Sequence, residues 1–284
     1  MFIIFLSFFG CSILQRTDKE KVVSTFAVIG DYGSNDSNEL AVVNLVKNWN
    51  PDFIITVGDN NYDKGSQETI DDNIGKYYHD FIGNYMGHFG AGSDEPRFFP
   101  SLGNHDWETP GAKPYLDYFT LPGNERYYDF VKGPVHFFVI DSDGREPDGT
   151  TSNSVQAKWL ENKLLNSTSN FNIVYFHHPP YTSSERGPIK NMRWPFKAWK
   201  TDLVLTGHDH YYEKLNVKGL PYLIVGSGGK SLNMIDNSVP ESQFHYDRGF
   251  GAVLVKVKPY SMKFKFYSVS NPNKPIDTFL IKSN

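Results

Sequence analysis

The sequence repeats one unit five times: a short apolar run followed by a polar loop rich in Gly, Asp, Asn or His. Continuous apolar runs of this length are typical of strands that are buried on both faces. The polar loops then leave the carboxyl ends of their strands, the edge at which open α/β sheets bind ligands. The five runs are Phe26–Ile29, Phe53–Val57, Phe98–Leu102, Ile173–Phe176 and Leu203–Thr206.

Two segments between these runs have the apolar spacing of helices. Asn38–Trp49 is one of them, and Ser154–Leu165 is the other, with a serine at the N-cap position. Together with the five runs they predict an α/β fold.

The last third of the chain has a different pattern. Ala252–Val257 and Met262–Tyr267 alternate apolar residues with lysine, and they flank the turn Pro259–Ser261. This alternation predicts a hairpin with one solvent-facing side. We expect the hairpin to belong to a second sheet that packs on the first.

Composition limits the classes of partner. The net charge is −4 and the isoelectric point is near 6.1, with positive and negative residues interspersed. No basic stripe of the kind that follows a phosphate backbone is visible, so nucleic acid is not the expected partner. With no linker and no internal sequence repeat of the kind that forms arrays after residue 20, we expect one catalytic domain over residues 21–284. The sequence does not indicate an oligomeric state.

Residues 1–20 are typical of an export signal. Phe2–Phe9 is an apolar run too short to span a bilayer, and it ends in Gly10 and Cys11 like a lipoprotein cleavage site. The match is loose because Phe9 is bulky and no Lys or Arg precedes the run. We expect export, either as a periplasmic or cell-envelope lipoprotein anchored through a lipidated Cys11 or as a secreted protein.

The strongest functional signal is the combination of the five loops. A single Gly-Asp after a strand is usually a turn, and a single His is usually structural. Here every loop supplies a residue able to bind a metal ion, and the mixed oxygen and nitrogen donors suit iron, zinc or manganese rather than calcium. The candidate ligands are Asp31, Asp59, Tyr62, Asn104, His177, His208 and His210.

Such a set suggests a two-metal site. Two cations about 3.5–4 Å apart need a carboxylate that can bridge them, and Asp59 is the candidate bridge. The pair would lower the pKa of a bound water, and the resulting hydroxide would attack phosphorus.

These motifs, in this order, resemble those of the purple acid phosphatases, a branch of the calcineurin-like metallophosphoesterases. They read GDxG, GDxxY, GNH, a His after an apolar strand, and GHxH. The resemblance spans nearly the whole chain after residue 20 and is closest to the small, single-domain, bacterial type. It implies two packed mixed β-sheets flanked by helices, an α-β-β-α sandwich. Further matching segments are Tyr127–Phe130, Phe137–Ser142, Gln156–Leu160, Trp194–Phe196 and Gly226–Gly229.

The resemblance also implies which metal each residue binds. Ferric iron would take Asp31, Tyr62, His210 and the bridging Asp59. A divalent ion (Fe, Zn or Mn) would take Asn104, His177, His208 and the same Asp59. Most other branches have a His where this chain has Gly33, and they lack a tyrosine equivalent to Tyr62, so the paired change favours the purple branch.

Four further residues have candidate roles. His105, after the ligand Asn104, fits the family role of leaving-group protonation or phosphate binding. Asp106 either orients His105 or braces the turn, and His178 either contributes to the site or only lines it. Arg186 stands where the family has a second catalytic histidine, and arginine cannot exchange a proton at working pH. We expect Arg186 to bind phosphate, with a position on a solvated loop as the alternative.

The most economical function is a phosphomonoester hydrolase, an acid phosphatase acting on small phosphoesters. Two alternatives stay open: a phosphodiesterase or nucleotide hydrolase using the same metals, and a surface protein that binds metal without turnover. The motifs define chemistry at phosphorus and leave the natural substrate and the divalent metal open.

Overall fold

The computed structural model describes residues 21–283 and contains two packed β-sheets. The strands are β1 (Ser24–Ile29), β2 (Phe53–Thr56), β3 (Phe98–Pro100), β4 (Tyr128–Lys132), β5 (Val135–Val139), β6 (Phe171–Tyr175), β7 (Leu203–Thr206), β8 (Tyr212–Val217), β9 (Leu220–Val225), β10 (Ser242–Tyr246), β11 (Gly251–Lys258), β12 (Ser261–Ser268) and β13 (Asp277–Lys282). The first sheet has the order β13-β12-β11-β1-β2-β3, and the second has the order β10-β8-β9-β7-β6-β5-β4.

Two of the helices were predicted from the sequence. The α-helices are α1 (Ser37–Asn48), α2 (Lys76–Tyr78), α3 (Lys113–Tyr118) and α4 (Val155–Leu165). The Asp36 side chain caps α1 by accepting hydrogen bonds from the first-turn amides, and the Ser154 side chain caps α4 in the same way. The predicted bounds of α1 and α4 are correct to within one residue. A π-helical turn, Asp71–Gly75, leads directly into α2.

The main core lies between the two sheets. Phe26 and Phe53 of the first sheet meet Phe137 of the second edge to face, with ring centroids 5.3 and 5.5 Å apart. Such aromatic pairs each add about 0.5–1.5 kcal/mol beyond the area they bury. Leu160 of α4 packs on the outer face of the second sheet, and Leu45 of α1 packs on the outer face of the first. The predicted α-β-β-α sandwich is therefore confirmed.

All five predicted strands are present as β1, β2, β3, β6 and β7. In the first sheet β1, β2 and β3 are parallel, and in the second β6 and β7 are parallel. Their carboxyl ends lie at one edge of the sandwich, where the loops that hold the candidate ligands meet.

The hairpin prediction was half correct. β11 and β12 form the expected antiparallel hairpin, but β11 pairs directly with β1 in the first sheet. The assignment of this hairpin to a second sheet was wrong, because alternation within a strand does not specify which strand it pairs with. The predictions for residues 1–20, including Cys11, lie outside the described residues. Within residues 21–283, no helix is long and apolar enough to cross a membrane.

Candidate metal centre

Five loops bring all seven candidate ligands to one edge of the sandwich. In the first sheet, Asp31 follows β1, Asp59 and Tyr62 follow β2, and Asn104 follows β3. In the second sheet, His177 follows β6, and His208 and His210 follow β7. They form two groups. We call Asp31, Tyr62 and His210 the oxygen group, and Asn104, His177 and His208 the nitrogen group.

The oxygen group is compact and buried. The Tyr62 hydroxyl oxygen lies 3.3 Å from Asp31 Oδ1 and 3.3 Å from His210 Nε2, and these last two atoms are 3.4 Å apart. Donor atoms that bind one ion at about 2.0–2.2 Å are separated by roughly 3.0–3.5 Å, so the spacing fits a shared cation.

The nitrogen group has the same spacing. Asn104 Oδ1 lies 3.1 Å from His177 Nε2 and 3.0 Å from His208 Nδ1, and the two ring nitrogens are 3.3 Å apart. The other ring nitrogen of His177 donates to the Val57 carbonyl oxygen at 2.8 Å, which orients the ring. Two imidazoles and an amide oxygen are a neutral donor set suited to a divalent ion.

Asp59 lies between the groups. Its Oδ2 atom is 3.0 Å from the Tyr62 hydroxyl and 3.3 Å from His177 Nε2, while Oδ1 accepts a hydrogen bond from the His105 amide at 2.9 Å. One carboxylate therefore contacts both groups, as a bridging ligand must.

The ligand-bearing turns are strained. Asp31, Asp59 and His208 have φ of 55°, 51° and 69°, a left-handed conformation that is costly for residues other than glycine. Gly33 explains the paired change in the motifs: any Cβ there would collide with the carbonyl oxygen of Asn60. The backbone of the Tyr62 loop packs where a larger residue would be, so the glycine makes room for the tyrosine.

Burial and neighbouring charges shift the pKa values of the site's histidines in opposite directions. Burial lowers the pKa of His178 to about 3 and that of His208 to about 2. Burial also acts against protonation of His177, but the charges of Asp59 and Asp31 outweigh it and raise the pKa of His177 to about 10. Metal binding must displace that proton, so metal uptake should weaken as the pH falls.

The environment of Tyr62 suits a highly charged ion. Burial, followed by the negative charges of Asp59 and Asp31, raises the pKa of the Tyr62 phenol well above its ordinary value. The phenol therefore keeps its proton unless a strong Lewis acid replaces it. Two buried carboxylates beside it also need positive charge to compensate them.

His105 is oriented toward this centre. Its Nδ1 donates to the Asp63 carbonyl oxygen at 2.5 Å, and its ring packs on Tyr62 with centroids 4.5 Å apart. The Nε2 atom then faces the site, 4.0 Å from Asp59 Oδ2, and the side chain is one-third exposed. This is the geometry expected of a residue that meets substrate without binding metal.

Asp106 braces the turn instead of orienting His105. Its buried carboxylate accepts hydrogen bonds from the Gly103 amide and from both the backbone and side-chain nitrogens of Asn60. Burial and the charge of Asp59 raise its pKa to about 7. These contacts match the bracing alternative, which the sequence could not separate from the catalytic one.

Arg186 lies at the mouth of the site. Its Nη1 donates to the His208 carbonyl oxygen at 3.3 Å, and its side chain is exposed. A groove of about 290 Å³ opens there, lined by Ser184, Glu185, Arg186, Asn233, Met234 and Asp236. Asn233 accepts from the His210 amide at 2.9 Å, so this groove adjoins histidines of both groups.

Sequence reasoning missed Lys230. Its ammonium nitrogen lies 4.5 Å from the centroid of the Tyr62 ring and 2.7 Å from Asp63 Oδ1, and its amide donates to the Asp31 carbonyl oxygen at 3.0 Å. It thus supports Tyr62 and the residue that orients His105. The only available signal was its position directly after the Gly226–Gly229 segment.

Two other residues have contacts that the sequence did not specify. Arg145 pairs with Asp143 and also donates to the Asn104 carbonyl oxygen at 3.0 Å. His178 Nδ1 lies 2.9 Å from Ser142 Oγ, and a ring nitrogen of His178 is within 4.8 Å of those of both His177 and His208. His178 therefore lines the nitrogen group.

Comparison with known proteins agrees with this geometry. Residues 24–212 match the family model of the calcineurin-like phosphoesterases. Purple acid phosphatase 3 of Arabidopsis thaliana is 27% identical and covers 90% of this chain and 77% of its own. Tartrate-resistant acid phosphatase type 5 of Rattus norvegicus is 25% identical, and the match covers 88% of this chain and 90% of that protein. The predicted resemblance to purple acid phosphatases is confirmed; its bacterial qualifier stays a prediction.

Solved structures share the fold. A purple acid phosphatase from yellow lupin (Lupinus luteus) seeds superposes with a TM-score of 0.74 at 17% identity, over 93% of this chain and 54% of that one. The anchor in the inner membrane complex of Plasmodium superposes with a TM-score of 0.72 at 19% identity, over 93% of this chain and 90% of that one. At such identities the likeness shows the architecture alone.

Proposed function

The chain belongs to the calcineurin-like phosphoesterase family and is a metal-dependent phosphoric ester hydrolase, and on that premise we propose that it hydrolyses phosphate monoesters at a pair of metal ions. The observation that carries the proposal is the position of Asp59 Oδ2, within 3.0–3.3 Å of donors in both groups.

The donor types suggest which ion each group holds. Asp31 and Tyr62 offer anionic oxygens that suit Fe(III), and the neutral nitrogen group suits a divalent Fe, Zn or Mn ion. When bound, such a pair lowers the pKa of water and so supplies a nucleophile at neutral or acid pH.

The chain's own residues complete the reaction. His105 Nε2 faces the site, and the ring, when protonated on both nitrogens, can give its Nε2 proton to the leaving-group oxygen and return to the neutral form, while the Asp63 carbonyl oxygen accepts from Nδ1 and orients the ring. The guanidinium of Arg186, at the mouth of the groove, offers a fork of donors that fits phosphate oxygens.

Turnover of p-nitrophenyl phosphate and of bis-p-nitrophenyl phosphate, with and without a chelator, tests this function. We expect faster turnover of the monoester and loss of activity with the chelator, reversed by adding metal. A faster diester reaction would instead support the phosphodiesterase or nucleotide hydrolase alternative.

A metal-binding protein without turnover is the remaining alternative. One structural neighbour is described as an anchor, so this architecture is not confined to proteins described as phosphatases. The orientation of His105 Nε2 toward the site favours an enzyme, because a protein that only binds metal does not need a proton donor beside its ligands. Metal-loaded protein that turns over neither ester would contradict our proposal.

We also propose that the chain is exported and that Cys11 is lipidated. Full-length protein should then partition into the detergent phase, and Cys11→Ser should abolish that partition or leave the precursor uncut. Wild-type protein with a mature N-terminus beyond Cys11 would instead support simple secretion.

A further inference from the structure

One outer face of the first sheet carries five lysines and no paired carboxylate among residues 21–283. In the register of β11, β12 and β13, Lys256 lies directly opposite Lys263, and Ser261 lies between Lys258 and Lys282. Residues opposite one another project from the same side of a sheet. We call this set the lysine face; its members are Lys256, Lys258, Lys263, Lys265 and Lys282.

The lysine face is unusual in its charge. Like charges directly opposite on neighbouring strands are destabilising, yet Lys256 and Lys263 are opposite each other and both are exposed. The chain as a whole has a net charge of −4, so the concentration of positive charge here is local. A sheet that only needed a solvent-facing side could alternate both signs.

The face also exposes apolar surface. Leu280, opposite Lys263, is 50% exposed, and Tyr260 at the hairpin turn is 50% exposed. A groove of about 500 Å³ continues from Leu280 and Lys282 and adds two more lysines, Lys197 and Lys200, against one carboxylate, Asp202. Lysines mixed with an aliphatic and an aromatic side chain are typical of surfaces that meet lipid headgroups.

The position of the face points to a membrane. β11 runs antiparallel to β1, so the β11–β12 turn lies at the edge of the sheet opposite the metal centre. The Val23 amide donates to the Val257 carbonyl oxygen at 2.8 Å, so the chain toward residues 1–20 leaves beside Lys258. Cys11, the proposed lipidation site, is only the nine residues Ser12–Glu20 away from Lys21, at most about 36 Å of extended chain.

We propose that the lysine face, at the turn end of the sheet, lies against an anionic lipid bilayer and leaves the metal centre, at the opposite edge, accessible to soluble substrate. The inference rests on the folded domain and does not depend on the proposed hydrolysis. Each lysine close to an anionic leaflet strengthens binding by about fivefold, an effect that salt screens.

The test uses the full chain and vesicles of phosphatidylcholine, with or without phosphatidylglycerol, at low and high salt. The double variant Lys256→Glu/Lys263→Glu is compared with a matched control, Lys158→Glu/Lys190→Glu, which changes the total charge equally on exposed residues of α4 and a distant loop. Because the apolar N-terminal segment can bind both kinds of vesicle, the readout is the ratio of binding between the two lipid compositions.

We expect wild-type protein to prefer the anionic vesicles at low salt and to lose that preference at high salt. The lysine-face variant should lower the ratio by at least about tenfold, while the control stays near wild type. Circular dichroism and turnover of p-nitrophenyl phosphate should be unchanged in both. If the Glu variant folds poorly, Lys256→Gln/Lys263→Gln keeps the comparison, with a smaller expected loss.

Three results would overturn the proposal. Wild-type protein could bind both vesicle compositions equally at low salt. The control variant could lose as much binding as the lysine-face variant, which would indicate a general effect of net charge. Retention on duplex DNA without preference for anionic vesicles would assign the face to a nucleic acid instead.

Discussion

The two ligand groups occupy the same edge of the fold and differ in chemistry. The oxygen group contains a carboxylate, a phenol and one imidazole, whereas the nitrogen group contains two imidazoles and an amide oxygen. Both groups take donors from loops of both sheets, and both contact Asp59. The difference shows that one scaffold can offer a site for a hard, highly charged ion beside a site for a borderline divalent ion. Only the donor types at the strand ends need to change.

Replacing Asp59, the ligand that both groups share, should abolish metal binding by both groups. We expect Asp59→Asn to lose both metal ions and nearly all activity, since an amide cannot bridge two cations or offset their charge. Elemental analysis of purified protein and turnover of p-nitrophenyl phosphate measure the two effects. Asp117→Asn, an exposed carboxylate paired with Lys113, is the control. A variant that kept one full equivalent of metal would place Asp59 in one group only.

His105 lies outside both groups and should separate catalysis from metal binding. We expect His105→Ala to keep both metals and to lose about 10²–10⁴-fold in kcat, the scale of general acid–base catalysis. His88→Ala, a largely exposed histidine elsewhere, should be near wild type. Loss of metal from His105→Ala would show that His105 is a ligand or a structural support.

Tyr62→Phe should affect the oxygen group alone. If tyrosinate binds ferric iron, wild-type protein is violet and the variant is colourless, with the divalent ion and the fold retained. Visible absorption, metal content and circular dichroism measure these outcomes, and Tyr260→Phe is the control. An iron-containing wild type that is active but colourless would remove Tyr62 from the ligand set.

The smallest effect is expected at Arg186, beside both groups. We expect Arg186→Ala to raise KM for p-nitrophenyl phosphate by about two- to fivefold, as for an exposed ion pair, with less change in kcat. The ratio of monoester to diester turnover should fall, because the dianionic monoester loses more binding energy than the monoanionic diester when the guanidinium is removed. Lys158→Ala removes a charge from α4 as a control. Unchanged KM and preference would mean that Arg186 is a solvated loop residue.

Local pattern predicted most of the site. Each strand and the loop after it are encoded within about ten residues, so the sequence identified five strand ends and the candidate ligand types on them. The family resemblance, and not the local pattern, implied the division of those ligands into two groups. The division depends on which loop side chains meet at the edge of the sandwich: His208 and His210 both follow β7, yet His210 lies with Tyr62 and His208 lies with Asn104. Sheet pairing joins residues far apart in sequence, and periodicity does not encode it.

The roles of individual side chains also needed the fold. Asp106 follows His105 in the sequence, but its carboxylate turns toward Asn60 and Gly103. Lys230 has no motif, yet a loop after β9 places it over Tyr62. Neither contact has a sequence signature, because each joins loops that meet only after the two sheets pack.

The lysine face shows the same limit on predicting surface charge from the sequence. In the sequence the lysines of β11 and β12 alternate with apolar residues, and this pattern correctly predicted a hairpin with one solvent-facing side. Read along the chain, the charges are interspersed and no basic stripe is visible. Strand pairing places Lys256 beside Lys263 and adds Lys282 from β13, so the basic surface forms across strands. The sequence by itself determined which side chains point outward, through the two-residue period of a strand; only the tertiary structure decided which of them became neighbours, because cross-strand register is a long-range property.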